Sequence, residues 1–290
     1  MPEVALAVHA HDVLGECPLW CPREQALYWG DLFRPALHRF EPASGALQTW
    51  LPPEKFGSFA LREQGGMILA ARSGIGFYDP RAGTLERVCE PEADRPGNLL
   101  NDGKCDRRGR FWVGSMDKRL QERSGALYRV EPDGSWQRME QWLWLANGLA
   151  FRADDRVLYH TDSTDRCVYA YAFDLERGTI RNRREHASAR EFPGVPDGMT
   201  IDEEGCLWSA QWGASRVVRY APDGRVAGTV ALPTARPTSC MFGGPRLDVL
   251  YVTTGFFRLS EAERAAQPWA GGLLAIDVGV RGLPEPRFAG

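Results

Sequence analysis

One strand pattern, aromatic and β-branched at its centre, occurs six times along this chain. It reads Leu27-Tyr28-Trp29, Met67-Ile68-Leu69, Phe111-Trp112-Val113, Leu158-Tyr159-His160, Leu207-Trp208-Ser209 and Leu250-Tyr251-Val252. The step between copies is about 40 to 49 residues, the period of a four-stranded propeller blade. Each copy is followed by a second alternating run and a Gly-rich turn, as in Leu37-His38-Arg39-Phe40 before Ser44-Gly45 and Leu127-Tyr128-Arg129-Val130 before Asp133-Gly134. Alternating runs bounded by Gly and Asp turns are antiparallel hairpins. No segment holds a sustained 3.6-residue apolar period, and residues 260–266 are long enough for one short helix at most.

Six copies of four strands predict an all-β fold, a six-bladed β-propeller with four-stranded antiparallel blades, in a single domain over residues 1–290. A solenoid would need polar capping repeats, and neither end of the sequence carries one. The stretch near Val4 to Val8 precedes the first complete copy, and it is expected to pair with the last blade and clasp the ring shut.

Composition narrows the function classes. The formal net charge of −3 leaves no basic excess for a nucleic acid or an anionic membrane. The basic stretch Arg181 to Arg184 lies beside Gly178 and reads as a solvated hairpin end. No run approaches the ~18 apolar residues that cross a bilayer. Met1 to His11 lacks the basic segment and apolar run of a signal peptide. The seven cysteines are an odd number with no zinc-type spacing; Cys17 and Cys21 have no second pair. Reduced thiols and a cytoplasmic location are therefore expected.

Aligning the copies on the aromatic strand and stepping back about 10 to 12 residues, within the same blade period, reaches Glu16, Ser58, Asn101, Asn147, Asp197 and Ser239. All six are polar, and each is expected where an innermost strand begins at the channel mouth. Asn101, Asn147 and Asp197 stand at or beside Asp-Gly or Asn-Gly pairs, which are also ordinary turn residues. Carboxylates and carboxamides converging without Lys or Arg would repel unless a cation compensates them. Oxygen donors suit a hard divalent ion such as Ca²⁺, Mg²⁺ or Mn²⁺, and Zn²⁺ also takes carboxylates.

At these residues the sequence resembles the senescence-marker-protein/gluconolactonase family, which includes regucalcin and bacterial sugar lactonases. The likeness is carried by Gly15-Glu16-Cys17-Pro18-Leu19-Trp20, Asn101-Asp102-Gly103-Lys104, Asn147-Gly148-Leu149, Pro196-Asp197-Gly198-Met199 and residues 238–244. The resemblance implies a six-bladed propeller with one divalent metal ion held by Glu16, Asn147 and Asp197. It implies that Asp197 also handles the proton of the attacking water, and that Asn101 lies near ion and substrate. The loop at residues 117–124 resembles the family's lid, with Glu122 or Gln121 facing the substrate. Many family members place an Arg two residues before the Asn of the Asn-Asp-Gly motif; here that position is Leu99, which lacks the forked donors of a guanidinium. Arg72, Arg95 and Arg258 are candidates for a cation supplied from elsewhere.

The expected activity is hydrolysis of a small-molecule lactone, a sugar-derived aldonolactone, to the open hydroxy acid. Asp197 serves as general base and the ion polarises the carbonyl. Two other functions remain open: a metal-dependent propeller hydrolase of another ester or an organophosphate, which Leu99 favours, and a calcium-binding regulatory protein, since fold alone does not settle function. Ser58 and Ser239 lack a positioned base, because none of the five histidines is expected at the mouth. Trp20, Trp112 and Trp208 read as blade packing, whereas Trp212 and Phe256-Phe257 are expected to wall the substrate pocket.

Overall fold

The six aromatic triplets occupy the second strands of six separate four-stranded sheets in the computed structural model, which describes residues 2–290. The fold is a six-bladed β-propeller with four-stranded antiparallel blades. Its one α-helix among the described residues is Glu261–Ala265, opened by a capping box in which Ser260 and Glu263 satisfy each other's backbone N–H groups.

Contacts divide the chain into two compact units. The first comprises Met1–Thr49 and Ala187–Pro284, the second Trp50–His186 and Glu285–Gly290. The first unit carries the first, fifth and sixth blades. Its sixth blade is composite: Val4–Val8 pairs with Leu273–Asp277 in antiparallel register, Val4 opposite Ile276 and Leu6 opposite Leu274. The clasp expected at Val4 to Val8 is thus present. The second unit carries the second, third and fourth blades, with inner strands Phe56–Leu61, Asn98–Cys105 and Ala146–Phe151.

Within a blade, burial falls from the inner strands to the outer one. The second strands Met67–Ala71 and Val157–Asp162 are buried at every position. The outermost strand Ala46–Trp50 has no buried residue. Arg181 to Arg184, expected at a hairpin end, instead lie inside the ten-residue outermost strand Thr179–Ser188 of the fourth blade. An edge strand facing solvent tolerates such charge. Arg183 also stacks its guanidinium 3.8 Å from the Tyr169 ring centre.

The Asp-type turns ahead of the aromatic strands bond to the Trp that follows. Asp106 accepts the Trp112 indole N–H at 2.9 Å and Asp202 accepts that of Trp208 at 2.9 Å. Each carboxylate also takes backbone N–H groups of its own turn, from Arg108 and Arg110 in one case and from Glu204 and Cys206 in the other. A buried indole otherwise leaves a donor without a partner, so the Asp and the Trp six residues later form one unit.

His160 is the exception among the second-strand residues. Its ring is fully buried, and neither nitrogen has a hydrogen-bond partner among the described residues. Burial lowers its pKa to about 3, with Arg183 adding to the effect. Well above pH 6.5 the ring is neutral folded or unfolded, and its titration has no effect on stability. As pH falls below 6.5 the unfolded chain takes up a proton that the folded chain refuses, and stability declines until the folded pKa is reached. This group alone should remove about 2 kcal/mol between pH 7 and pH 5. Urea unfolding at both pH values should show His160→Leu losing less by about that amount; equal losses would contradict the assignment.

Candidate metal centre and active site

The register of every inner strand slips at the same place. The slips fall between Glu16 and Leu19, Phe56 and Ser58, Leu100 and Gly103, Asn147 and Leu149, Pro196 and Met199, and Pro237 and Ser239. Each polar residue singled out from the sequence stands at or inside one of these bulges. A bulge adds an unpaired residue and re-aims a side chain, which is why bulges gather beside active sites. Glu16 and Asn147 are the last paired residues before the slip, Asn101 and Asp197 lie inside it, and Ser58 and Ser239 follow it.

In the second unit the bulge residues form a hydrogen-bonded chain. Ser58 Oγ donates to the Asn101 carbonyl oxygen at 2.6 Å. Asn101 Nδ2 donates to the Ala146 carbonyl oxygen at 2.9 Å and to Asn147 Oδ1 at 2.7 Å. Asn147 Nδ2 in turn donates to Ser163 Oγ at 2.9 Å. Both amides are thus oriented by their partners. Asn147 keeps a second lone pair on Oδ1, and Asn101 Oδ1 accepts nothing among the described residues. Ser163 was not foreseen; it follows the second strand, where no repeat marks it.

Leu99 alternates with buried neighbours: Asn98 and Leu100 are buried, while Leu99 and Asn101 are partly exposed. Leu99 is the last partly exposed apolar residue before the bulge that holds Asn101. Asn98 is turned the other way, donating to the Ser124 carbonyl oxygen at 3.0 Å and accepting from Ser124 Oγ at 2.7 Å. The loop at residues 117–124 is thereby anchored at its far end. At its near end Asp117 accepts backbone N–H groups from Gln121, Arg119 and Glu122. Those bonds, Gln121 first, hold its carboxyl below the usual range. Glu122 and Gln121 are both exposed on this knitted loop.

In the first unit Glu16 is buried and its Oε2 accepts the Cys17 N–H at 3.1 Å, with Cys17 in the left-handed region at φ 54°. Gly15 lets this strand close on its neighbours: a Cβ there would meet the Thr254 carbonyl oxygen at 2.8 Å, and Thr238 Oγ1 donates to the Gly15 carbonyl. Asp197 is half-buried between Pro196 and Gly198, and a Cβ on Gly198 would collide with Ser239. Gly198→Ala should therefore push Ser239 away and cost about 1–3 kcal/mol by overpacking, read as a lower unfolding midpoint; an unchanged midpoint would show that the strands separate freely.

The other candidates are placed as follows. Arg95 is committed to the Ser124 carbonyl at 2.6 Å, Arg72 is exposed, and Arg258 lies over Phe257 at 5.1 Å. Ser58 Oγ is spent on a backbone carbonyl. His38 bonds Asp12 at 3.0 Å and Thr49 at 2.9 Å. Trp212, Phe256 and Phe257 are half-buried. None of the seven cysteines is in a disulfide. Asp202, Glu204 and Cys206 cluster closely enough to suggest an ion, but Asp202 and Glu204 already share the Arg219 guanidinium at 2.6 Å each. The matching turn at Asp106 carries Arg108 and Arg110 where Glu204 and Cys206 stand, so the cluster serves the Trp-binding turn.

A propeller whose inner strands each bulge at a polar residue, two of them carboxylates, defines a class with oxygen donors at its strand ends. Residues 14–256 match the SMP-30/Gluconolactonase/LRE-like region, and the chain belongs to that family. It is similar to 6-deoxy-6-sulfogluconolactonase of Pseudomonas putida, at 41% identity over 98% of this chain and 97% of the relative. Regucalcin of Xenopus laevis is 36% identical over 96% of this chain and 95% of its own. Among solved structures, the calcium-binding protein regucalcin from Agrobacterium tumefaciens superposes with a TM-score of 0.93 at 26% identity, covering 98% of this chain and 96% of that one. No helix among the described residues is long and apolar enough to cross a membrane.

Proposed function

We propose that this protein hydrolyses a sugar-derived lactone to the open hydroxy acid with one divalent metal ion held by Glu16, Asn147 and Asp197. The chain is a gluconolactonase-like lactonase, a hydrolase of cyclic esters, in keeping with its likeness to a relative named for a sulfogluconolactone. The observation that supports the ion assignment is the common bulge, which Glu16 and Asn147 border and within which Asp197 lies. Two carboxylates and one carboxamide are hard oxygen donors, a set that fits Ca²⁺, Mg²⁺ or Mn²⁺ and accepts Zn²⁺. The Asn147 amide is held by Asn101 and Ser163 and needs no reorganisation to offer its oxygen.

A bound ion supplies Lewis-acid polarisation of the lactone carbonyl and lowers the pKa of water. The chain's own groups do the rest. Asp197 takes the proton of the attacking water and Asn101 Oδ1 accepts a hydroxyl of the substrate, with Leu99 the apolar residue ahead of that bulge. Glu122, on the loop tied down by Asp117, faces the incoming lactone.

A pH-indicator assay of a lactone panel tests this reading, using chelator-stripped protein and then protein restored with Ca²⁺, Mn²⁺, Mg²⁺ or Zn²⁺. Acid release that depends on the ion supports it. Turnover of an organophosphate or a simple ester in place of every lactone would move the assignment to another propeller hydrolase. Tight Ca²⁺ binding without any turnover would move it to a regulatory protein.

A further inference from the structure

Arg236 was not singled out by the repeat pattern, but its surroundings suit it to a ligand. It lies in the connection between the outermost strand Val226–Ala231 of the fifth blade and the inner strand Pro237–Gly243 of the sixth, entirely within the first unit. Its guanidinium sits over the Trp212 ring, 4.9 Å from the ring centre. Its Nε is buried without a hydrogen-bond partner, and no carboxylate pairs with it among the described residues. Glu263 lies within Coulomb reach but forms no ion pair with it; its Oε2 accepts the Ser260 N–H at 2.8 Å and Ser260 Oγ at 2.7 Å.

The pose is built in. Gly213, at φ 82°, has no Cβ; one placed there would come within 3.2 Å of Arg236 Nη1. Three bonds fix the connection: Gly213 N–H to the Ala235 carbonyl at 2.8 Å, Ala235 N–H to Gln267 Oε1 at 2.6 Å, and Gly255 N–H to the Arg236 carbonyl at 2.9 Å. The position is also tied to the candidate active site. Trp212 pairs with Val195 on the strand that carries Asp197 two residues later. Arg236 precedes Ser239 by three residues, and Ser239 packs where a Cβ of Gly198 would be.

A half-buried guanidinium held on an indole without a carboxylate lacks the partner that usually offsets its desolvation. Its planar fork matches an anion presenting two or three oxygens, and the indole face stabilises the cation from behind. We propose that Arg236 on Trp212 is the subsite for a negatively charged tail on the substrate, a sulfonate or phosphate ester at the end of the sugar chain remote from the lactone carbonyl. The subsite rests on the lactonase reading above.

The test compares glucono-1,5-lactone with its 6-phosphate ester on the metal-loaded protein and on Arg236→Gln and Arg236→Lys. In Arg236→Gln the kcat/KM ratio of phosphorylated to neutral lactone should fall about tenfold to a hundredfold through KM, the range for losing a charge-assisted hydrogen-bond pair. Arg236→Lys should recover part of it. An unchanged ratio with both lactones turned over overturns the subsite and leaves the lactonase reading standing. If neither lactone is hydrolysed, the lactonase reading fails, and tryptophan fluorescence titrated with 6-phosphogluconate decides the subsite alone. Saturable quenching lost in Arg236→Gln supports it; quenching absent from the wild type, or the same in the variant, overturns it.

Discussion

Asp197→Ala should lower lactone kcat/KM by about 10³-fold, within the range for removing a positioned general base, and should weaken ion binding in the same protein. The two losses are separable because the residue has two assigned jobs. Asp197→Asn keeps one uncharged oxygen donor and removes the proton acceptor, so turnover should collapse while ion affinity falls less than in the alanine variant. The half-buried side chain sits inside the register slip between Pro196 and Met199, so both changes leave the paired positions of the strand intact. Steady-state kinetics beside ion titration of each variant reads both effects. Turnover of Asp197→Ala within tenfold of the parent would assign the base elsewhere.

Phe288→Ala should destabilise the fold by about 3–5 kcal/mol, the cost of emptying an aromatic core site. Phe288 belongs to the C-terminal segment, which has no strand of its own, yet the ring is fully buried among Ala60, Ile68, Phe111 and Tyr128. The segment is docked by backbone bonds: Phe288 N–H to the Leu61 carbonyl and Glu63 N–H to the Phe288 carbonyl, each at 2.9 Å. Lys104 and Glu285 add an ion pair at 3.1 Å with both side chains largely buried. Urea unfolding should show the midpoint falling without a change in slope. A loss under about 1 kcal/mol would mean that the cavity collapses or that the tail docks only loosely.

The two effects differ in how far the sequence announced them. Asp197 was legible because its blade repeats a pattern present five other times, and stepping back from an aromatic strand reaches the bulge in every copy. Phe288 follows a Pro-rich run with no alternation, and only tertiary packing gives it a partner. The same contrast holds within each blade. Second strands such as Phe111–Asp117 bury both faces and must be apolar and aromatic. The outer strand Thr179–Ser188 faces solvent, carries three arginines and reads as a turn until its pairing is seen. Among site residues, Asn101 and Asn147 were legible from the repeat, whereas the bond between their side chains was not, because it depends on rotamers that no spacing encodes. Arg236 was illegible for a related reason: it lies in a connection, where the repeat carries no register, and its partner Trp212 is 24 positions away in sequence.

The most direct check is Mn²⁺ binding to chelator-stripped protein, followed by electron paramagnetic resonance alongside lactone turnover. One ion per chain should bind, activity should return in step with occupancy, and Glu16→Gln, Asn147→Ala and Asp197→Ala should each lose affinity. Full turnover by the stripped protein, or an ion held equally well by all three variants, would show that these oxygens do not share a cation.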